Sequence, residues 1–314
     1  FIVNTANSSA VTGNRVTYAN GTVSRDVQGA YSQGTGEMKE NSVTVQSGTV
    51  QGGICGAVNA GTAGDVTQNS VQFNGGTATA GTGVIGGSVI MAASNGSVTG
   101  NHVEATGGTS NILTGGSHYG GGALTVNHVA LRGGTTGTVD GAYHGGAVGE
   151  VKGNYAEVTG GKADNVYGVS VDNAAHSSDV TENYVKYTNT ADNETEWLIG
   201  AYSIGMGALR SNSVTITGGK AKYVYGGYMN AATNSSAATG NHVTYQGGES
   251  TNVVGAYSNG TGALDKNGVT FHSGKADSLY GAQHAGTTGA VTDNEVTIAG
   301  GETQSIYGGC ITNA

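Results

Sequence analysis

The residues best placed to do chemistry are three acids at alternate positions, Asp192, Glu194 and Glu196, followed directly by Trp197, the single tryptophan of the chain. On an extended backbone alternate side chains share a face, so the three carboxylates would project together. Lys220 and Lys222 follow about one repeat later, and Lys162 precedes by one. Paired carboxylates can cleave a glycosidic bond, and acids beside an aromatic ring can hold a sugar or a calcium ion. The plainer reading is a ladder of surface charges, which adds little stability. These four residues are therefore binding candidates, and no catalytic residue is assigned.

Two other side-chain types recur. His102 and His128 hold one position of the repeat, and His118 and His144 hold another, each seventeen residues after its repeat Asn. Paired imidazoles can ligate a transition metal, but no third ligand type accompanies them, and stacked surface histidines are the expectation. No metal and no cofactor are assigned. Tyrosine recurs in Gly-Ala-Tyr at Tyr31, Tyr143, Tyr202 and Tyr257, with Tyr228 in a Gly-Gly-Tyr variant. Facing outward, these rings would form a contact ribbon of the kind interfaces favour; facing inward, they would be core. The sequence leaves both open.

The elements that must carry these residues follow from a repeat. An Asn, then an apolar residue two positions on and another four positions on, recurs at Asn14, Asn41, Asn69, Asn101, Asn127, Asn154, Asn183, Asn212, Asn241, Asn267 and Asn294. The spacing is 26 to 32 residues, the range of solenoid repeats. Apolar alternation rich in β-branched residues predicts a strand with one buried face, and no segment shows a helical period. Another apolar residue stands three positions before each Asn, as in Val11, Met38 and Leu124. That odd offset breaks the alternation, so a corner is expected at the Asn, which tolerates left-handed backbone and bonds its own backbone. A Gly seven residues after the Asn in ten of eleven repeats predicts a second corner with positive φ. A third strand ends in Tyr-Gly or Val-Gly, as in Val224-Tyr225-Gly226.

Three strands and three corners per repeat predict an all-β, single-domain, parallel β-solenoid, right-handed, of about eleven coils of about 28 residues over 1–314. At the strand spacing such a rod would be about 50 Å long. The eleven Asn side chains are expected to form a structural hydrogen-bonded ladder. Cys55 and Cys310 would lie about 40 Å apart, too far for a disulfide. Both ends lie inside the pattern, so the expectation is a slice of a longer chain.

Composition removes several functions. Glycine accounts for 59 of 314 residues and proline for none, which excludes collagen and disfavours helical bundles. Twelve Lys and Arg against a net charge of −9 leave no basic stripe for nucleic acid. No apolar run is long enough for a membrane-spanning helix, so no membrane insertion is expected.

Repeats such as Asn212-Ser213-Val214-Thr215-Ile216-Thr217-Gly218-Gly219, followed by Val224-Tyr225-Gly226-Gly227-Tyr228, resemble those of bacterial autotransporter passenger regions, in particular the long adhesin-like passengers of anaerobic Gram-negative bacteria. The resemblance covers nearly the whole chain. It implies secretion through an outer-membrane β-barrel, display on the cell surface or outside it, and a role in adhesion, aggregation or biofilm. The expected function is thus a non-enzymatic, surface-displayed stalk or adhesin. Its partners would be host or bacterial surface proteins or glycans, or further copies of itself, engaged through many weak contacts. The alternatives are a filament subunit that polymerises end to end, and a polysaccharide lyase or glycosidase on a β-helix.

Overall fold

The computed structural model describes residues 1–79, 81, 83–189 and 193–312. Every secondary-structure element among them is a β-strand. The chain is a parallel β-solenoid of about eleven turns, and it divides into two compact units, Phe1–Ala163 and Asp164–Ala314.

Each turn carries the three strands expected. In the first unit the first sheet stacks two-residue strands from Val11–Thr12 and Met38–Lys39 through Val151–Lys152, and the second stacks four-residue strands from Arg15–Tyr18 through Tyr155–Val158. In the second unit the same sheets run from Val180–Thr181 to Val291–Thr292 and from Tyr184–Thr188 to Glu295–Ile298. The third sheet begins in two pieces per turn, such as Thr49–Val50 and Ile54–Asn59, and from Thr109–His118 onward uses single ten-residue strands. Register is strict: Val71 faces Val103, and Val103 faces Val129. The inward rows therefore repeat like with like. Val43, Val103, Val214 and Val243 are buried, as are Met38, Leu124 and Leu209, each contributing about 1.5–3 kcal/mol by leaving water.

The glycine corner stands as expected. All ten glycines seven residues after a repeat Asn have positive φ, from 75° at Gly161 to 117° at Gly21. The corner at the Asn needs correcting. Its left-handed residue is the one before the Asn: Gly13, Gly100, Gly153 and Gly240 in four turns, and Glu40, Gln68, Val126, Glu182, Ser211, Lys266 and Asp293 in the others. The Asn itself is freed to point inward. Asn41 Nδ2 donates to Asn69 Oδ1 at 2.9 Å and to Val11 O at 2.8 Å, while its backbone N–H donates to the same Asn69 Oδ1 at 2.9 Å. The pattern recurs at Asn101 and Asn127 in the first unit and at Asn212, Asn241 and Asn267 in the second. These amides are fully buried and satisfy each other and the backbone corner, which is what burial of a polar group demands.

A second glycine row sits where the third sheet bends against the start of the second. A Cβ on Gly226 would lie 2.5 Å from Gly255 O and 2.7 Å from His242 N. No side chain fits there, so Tyr-Gly, expected to end the third strand, instead lies inside it, within Lys220–Met229, at a close backbone approach.

Candidate functional site

The ten-residue strand Glu194–Ser203 shows how the third sheet presents side chains. Thr195, Leu198, Ala201 and Ser203 are buried; Glu194 and Glu196 are exposed, and Trp197 and Tyr202 are half-buried. The two glutamates do share the outer face. Asp192, the third acid of the predicted cluster, lies outside the described residues.

The acids belong to a charge ladder. Glu194 is in register with Lys220, Lys220 with Glu249, Glu249 with Lys275, and Lys275 with Glu302, so the sign alternates at every coil. Lys220 Nζ lies 3.8 Å from Glu249 Oε2, an exposed contact of small energetic consequence. The next outward row adds a hydrogen bond from Gln304 Nε2 to Asp277 Oδ1 at 2.9 Å.

Beside this ladder the second unit carries an aromatic face. Trp197 is in register with Tyr223; Ile199 with Tyr225; Tyr202 with Tyr228 and then Tyr257. Tyr202 and Tyr228 stack with centroids 5.8 Å apart, Tyr228 and Tyr257 at 4.6 Å, and Trp197 meets Tyr223 at 4.8 Å and Tyr225 at 5.8 Å. Tyr225 and Tyr228 meet edge to face at 4.8 Å, a geometry the aromatic quadrupole favours. Under these rings lie Ile199, Tyr225 and Val254, buried although their row is on the outer side of the sheet. The face is therefore a second apolar cluster, built outside the core by tyrosines leaning over the sheet's bend.

The electrostatics agree. Burial raises the Tyr228 phenol to about 12, with the neighbouring Tyr257 and Tyr202 adding to it. Burial likewise raises Tyr225 and Tyr257. These hydroxyls stay protonated and serve as neutral hydrogen-bond groups. Tyr167, Trp197, Ile199, Tyr202, Tyr228 and Asn230 line an open hollow of about 240 Å³. Asn230 Nδ2 donates to Tyr202 Oη at 3.3 Å.

The open question about the tyrosine row is thus answered: all five rings are half-buried on the outer face. In the first unit Tyr31 stacks on Phe1 at 4.8 Å, and Tyr143 meets Tyr119 at 5.5 Å. Tyr202, Tyr228 and Tyr257 form the continuous stack of the second unit. The sequence reading missed Tyr167, Tyr223 and Tyr225, assigning the Tyr of Tyr-Gly only to a strand end. Writing the third strands out at ten residues would have placed the Tyr of Val-Tyr-Gly three positions before the Tyr of Gly-Ala-Tyr, with a bend between them.

The histidine pairs stack as expected. His102 and His128 lie 5.1 Å apart, with Tyr155 continuing the stack at 4.7 Å, and His118 and His144 lie 5.5 Å apart. The second pair is not on the surface, because both residues are fully buried. His118 Nδ1 accepts the N–H of Gly120 at 2.8 Å, and its Nε2 bonds Gly96 O at 2.6 Å. Gly146 N–H donates to His144 Nδ1 at 3.0 Å. In other turns Ser32, Asn59, Ser203, Ser258 and His284 accept the same N–H two residues on. These histidines close a backbone turn. No group of three or more His, Cys, Asp or Glu among the described residues could hold a metal ion. Cys55 and Cys310 are free thiols, and burial raises the Cys55 thiol to about 12.

This geometry defines a class, a parallel β-solenoid with an aromatic outer face on one of its units. No family model, curated protein or solved structure matches the chain.

Proposed function

We propose that this protein is a non-catalytic, extracellular or surface-displayed stalk of adhesive type, and that the aromatic face of the second unit is its contact surface. The observation that carries the reading is the outward apolar cluster. The core is already filled by inward rows, so Trp197, Tyr202, Tyr223, Tyr228 and Tyr257 are not required to complete it. Large aromatics held half-exposed on a rigid sheet supply contact area at low entropic cost. The alternating charges beside them leave little net local charge, which favours partners held by stacking and hydrogen bonding. Repetition at the strand spacing lets an extended partner engage several rungs at once, so that weak contacts add. The partner would be a surface protein or a glycan.

The test is binding of the purified chain to intact cells and to arrayed glycans and proteins. Replacing Tyr202, Tyr228 and Tyr257 together by Ala is expected to lower binding at least tenfold, about the loss of one strong aromatic contact. Replacing Tyr31 and Tyr143 should leave it unchanged. Equal binding by both variants would overturn the assignment.

A further inference from the structure

On the second sheet of the first unit, a short stack of rings ends over a polar hollow. His102, His128 and Tyr155 follow one another on the outer face, with centroids 5.1 and 4.7 Å apart and planes within 7° of parallel. Both steps are close to the strand spacing of about 4.8 Å, so the rings stand upright, one to a coil. His128 covers one face of His102. On the other side the residues in register are Ser70 and then Ser42, neither of which carries a ring. An open hollow of about 250 Å³ lies there, with Ser42, Thr44, Ser70, Gln72, His102 and Glu104 among its lining.

The corresponding histidine of the second unit shows what the stack prevents. His242 leans over Gly268, where an added Cβ would lie 3.0 Å from its Nδ1, and its Nε2 bonds Thr270 Oγ1 at 2.9 Å. Its ring is spent on the next coil. His102 makes no such bond. Its ring nitrogens, the hydroxyls of Ser42, Thr44 and Ser70, and the Gln72 amide hydrogen-bond to no other group among the described residues. A ligand would displace only water from them.

We propose that this hollow binds one neutral pyranose ring of a glycan, standing over Ser70 as the next rung of the stack, against the open face of His102. The site is separate from the aromatic face of the second unit and goes beyond the contact surface assigned there. Its volume is below the roughly 300–1,000 Å³ of drug-sized sites, which suits a single ring. A flat apolar ring would take the stacking but leave the hydroxyls and the amide unpaired, which is costly. A pyranose matches both walls, with C–H groups on its face and hydroxyls around its rim. Gln72 and Glu104 lie in register on adjacent strands, so the amide can donate to one hydroxyl while the carboxylate accepts from the next. Arg132 Nε holds Glu104 Oε1 at 2.9 Å, which leaves Oε2 as that acceptor. The carboxylate repels an anionic sugar, and its ion pair with Arg132 removes the need for a cationic one. Burial lowers the His102 imidazole against the pull of Glu104. The ring is therefore neutral at neutral pH, with one nitrogen donating and the other accepting.

The test is calorimetric titration of the whole chain with the methyl glycosides of glucose, galactose, mannose and N-acetylglucosamine, and with their linear oligomers. Saturable binding of at least one is expected, with a Kd on the order of 1 mM. Ser70→Tyr puts a ring into the vacant rung, as Tyr155 does in its own coil, and should abolish binding. His102→Ala should do the same, whereas His102→Tyr, which keeps a ring, should retain part of it. Glu104→Ala should weaken the ligand about tenfold. Thermal melts establish that each variant is folded. The chain with Tyr202, Tyr228 and Tyr257 replaced by Ala should bind the same saccharide unchanged. Silence with every saccharide overturns the subsite, as does binding that survives Ser70→Tyr, or a response only to indole or phenol. Loss of the saccharide in the triple tyrosine variant would move the sugar to the aromatic face, and overturns it too. Cell binding through that face is scored on the triple variant alone, so either assignment can fail while the other stands.

Discussion

The two units share one backbone plan and dress it differently. In the first, the outward row of the third sheet that corresponds to Tyr225 reads Gln28, Cys55, Ile85, Thr114 and Asp140, and the row corresponding to Tyr228 reads Tyr31, Val58, Ser88, Ser117 and Tyr143. In the second, the same rows read Tyr167, Ile199, Tyr225, Val254, Tyr280 and Tyr307, and then Ser170, Tyr202, Tyr228, Tyr257, Gln283 and Cys310. The inward rows hardly differ: Leu113 and Val139 in one unit do what Val224 and Val253 do in the other. The outer face can therefore change its chemistry without disturbing what holds the coils together.

If that separation is right, the amide ladder must matter equally in both units, and it should carry the largest effect. Asn101→Ala removes the acceptor used by the N–H and amide of Asn69, and the donor to Val66 O. Asn241→Ala does the same to Asn212 and Leu209 O. Each should cost about 3 kcal/mol, because several buried groups lose partners at once. Urea unfolding checks this, and a loss confined to one unit's variant would break the comparison. The glycine row comes next. Gly226→Ala would drive a methyl group into Gly255 O and the His242 backbone, costing about 2 kcal/mol or more through overpacking.

What the sequence disclosed follows the same division. Period-two alternation, the Asn spacing and the corner glycines were legible because each inward position is repeated in every coil, and repetition makes a weak signal strong. The left-handed residue before the Asn was not legible, because Glu40, Gln68 and Val126 occupy it as readily as glycine does. Composition carries no trace of a conformation imposed by neighbouring coils. The aromatic face was half legible. The Gly-Ala-Tyr row stood out, but its direction did not, because the flanking Gly and Ala are too small to show which side is buried. Ile199 and Val254 mislead in the other direction: they look like core and are buried, yet on the outside of the sheet.

The first unit's outer face has its own weak point, the stack His102, His128 and Tyr155 on the second sheet. Burial, with the positive charge of His102 adding to it and Glu104 pulling the other way, lowers the His128 imidazole to about 4. The unfolded chain takes up a proton near pH 6.5, whereas the folded unit resists until about pH 4. Stability is therefore complete above pH 6.5 and is lost as the pH falls toward 4. With the ring still partly in solvent, the loss should be about 1–2 kcal/mol. His128→Gln should flatten the melting temperature over that window. The corresponding His242 of the second unit, bonded through Nε2 to Thr270 Oγ1 at 2.9 Å, should give a smaller effect, because it has no second imidazole in register.

The smallest effect asks whether the first unit has accepted backbone strain that the second avoids. Val126 sits at φ 49°, half-exposed, in the corner before Asn127. It is the only β-branched residue among the left-handed corner residues of the described chain, and such a side chain crowds its own backbone there. Four other turns use glycine at the same place, Gly240 among them at φ 66°. Val126→Gly relieves roughly 1 kcal/mol of strain, and the exposed side chain gives up little buried surface. The unfolded glycine is the more flexible of the two, which returns part of the gain. A net stabilisation of about 0.5 kcal/mol is expected, with Val126→Asn close behind, since Asn tolerates this region while losing less entropy. Gly240→Val in the second unit should reverse the sign and cost about 1 kcal/mol. If Val126→Gly instead destabilised the chain, the valine would be contributing packing that its exposure does not show. The corner would then belong with the inward rows rather than with the surface that the solenoid is free to vary.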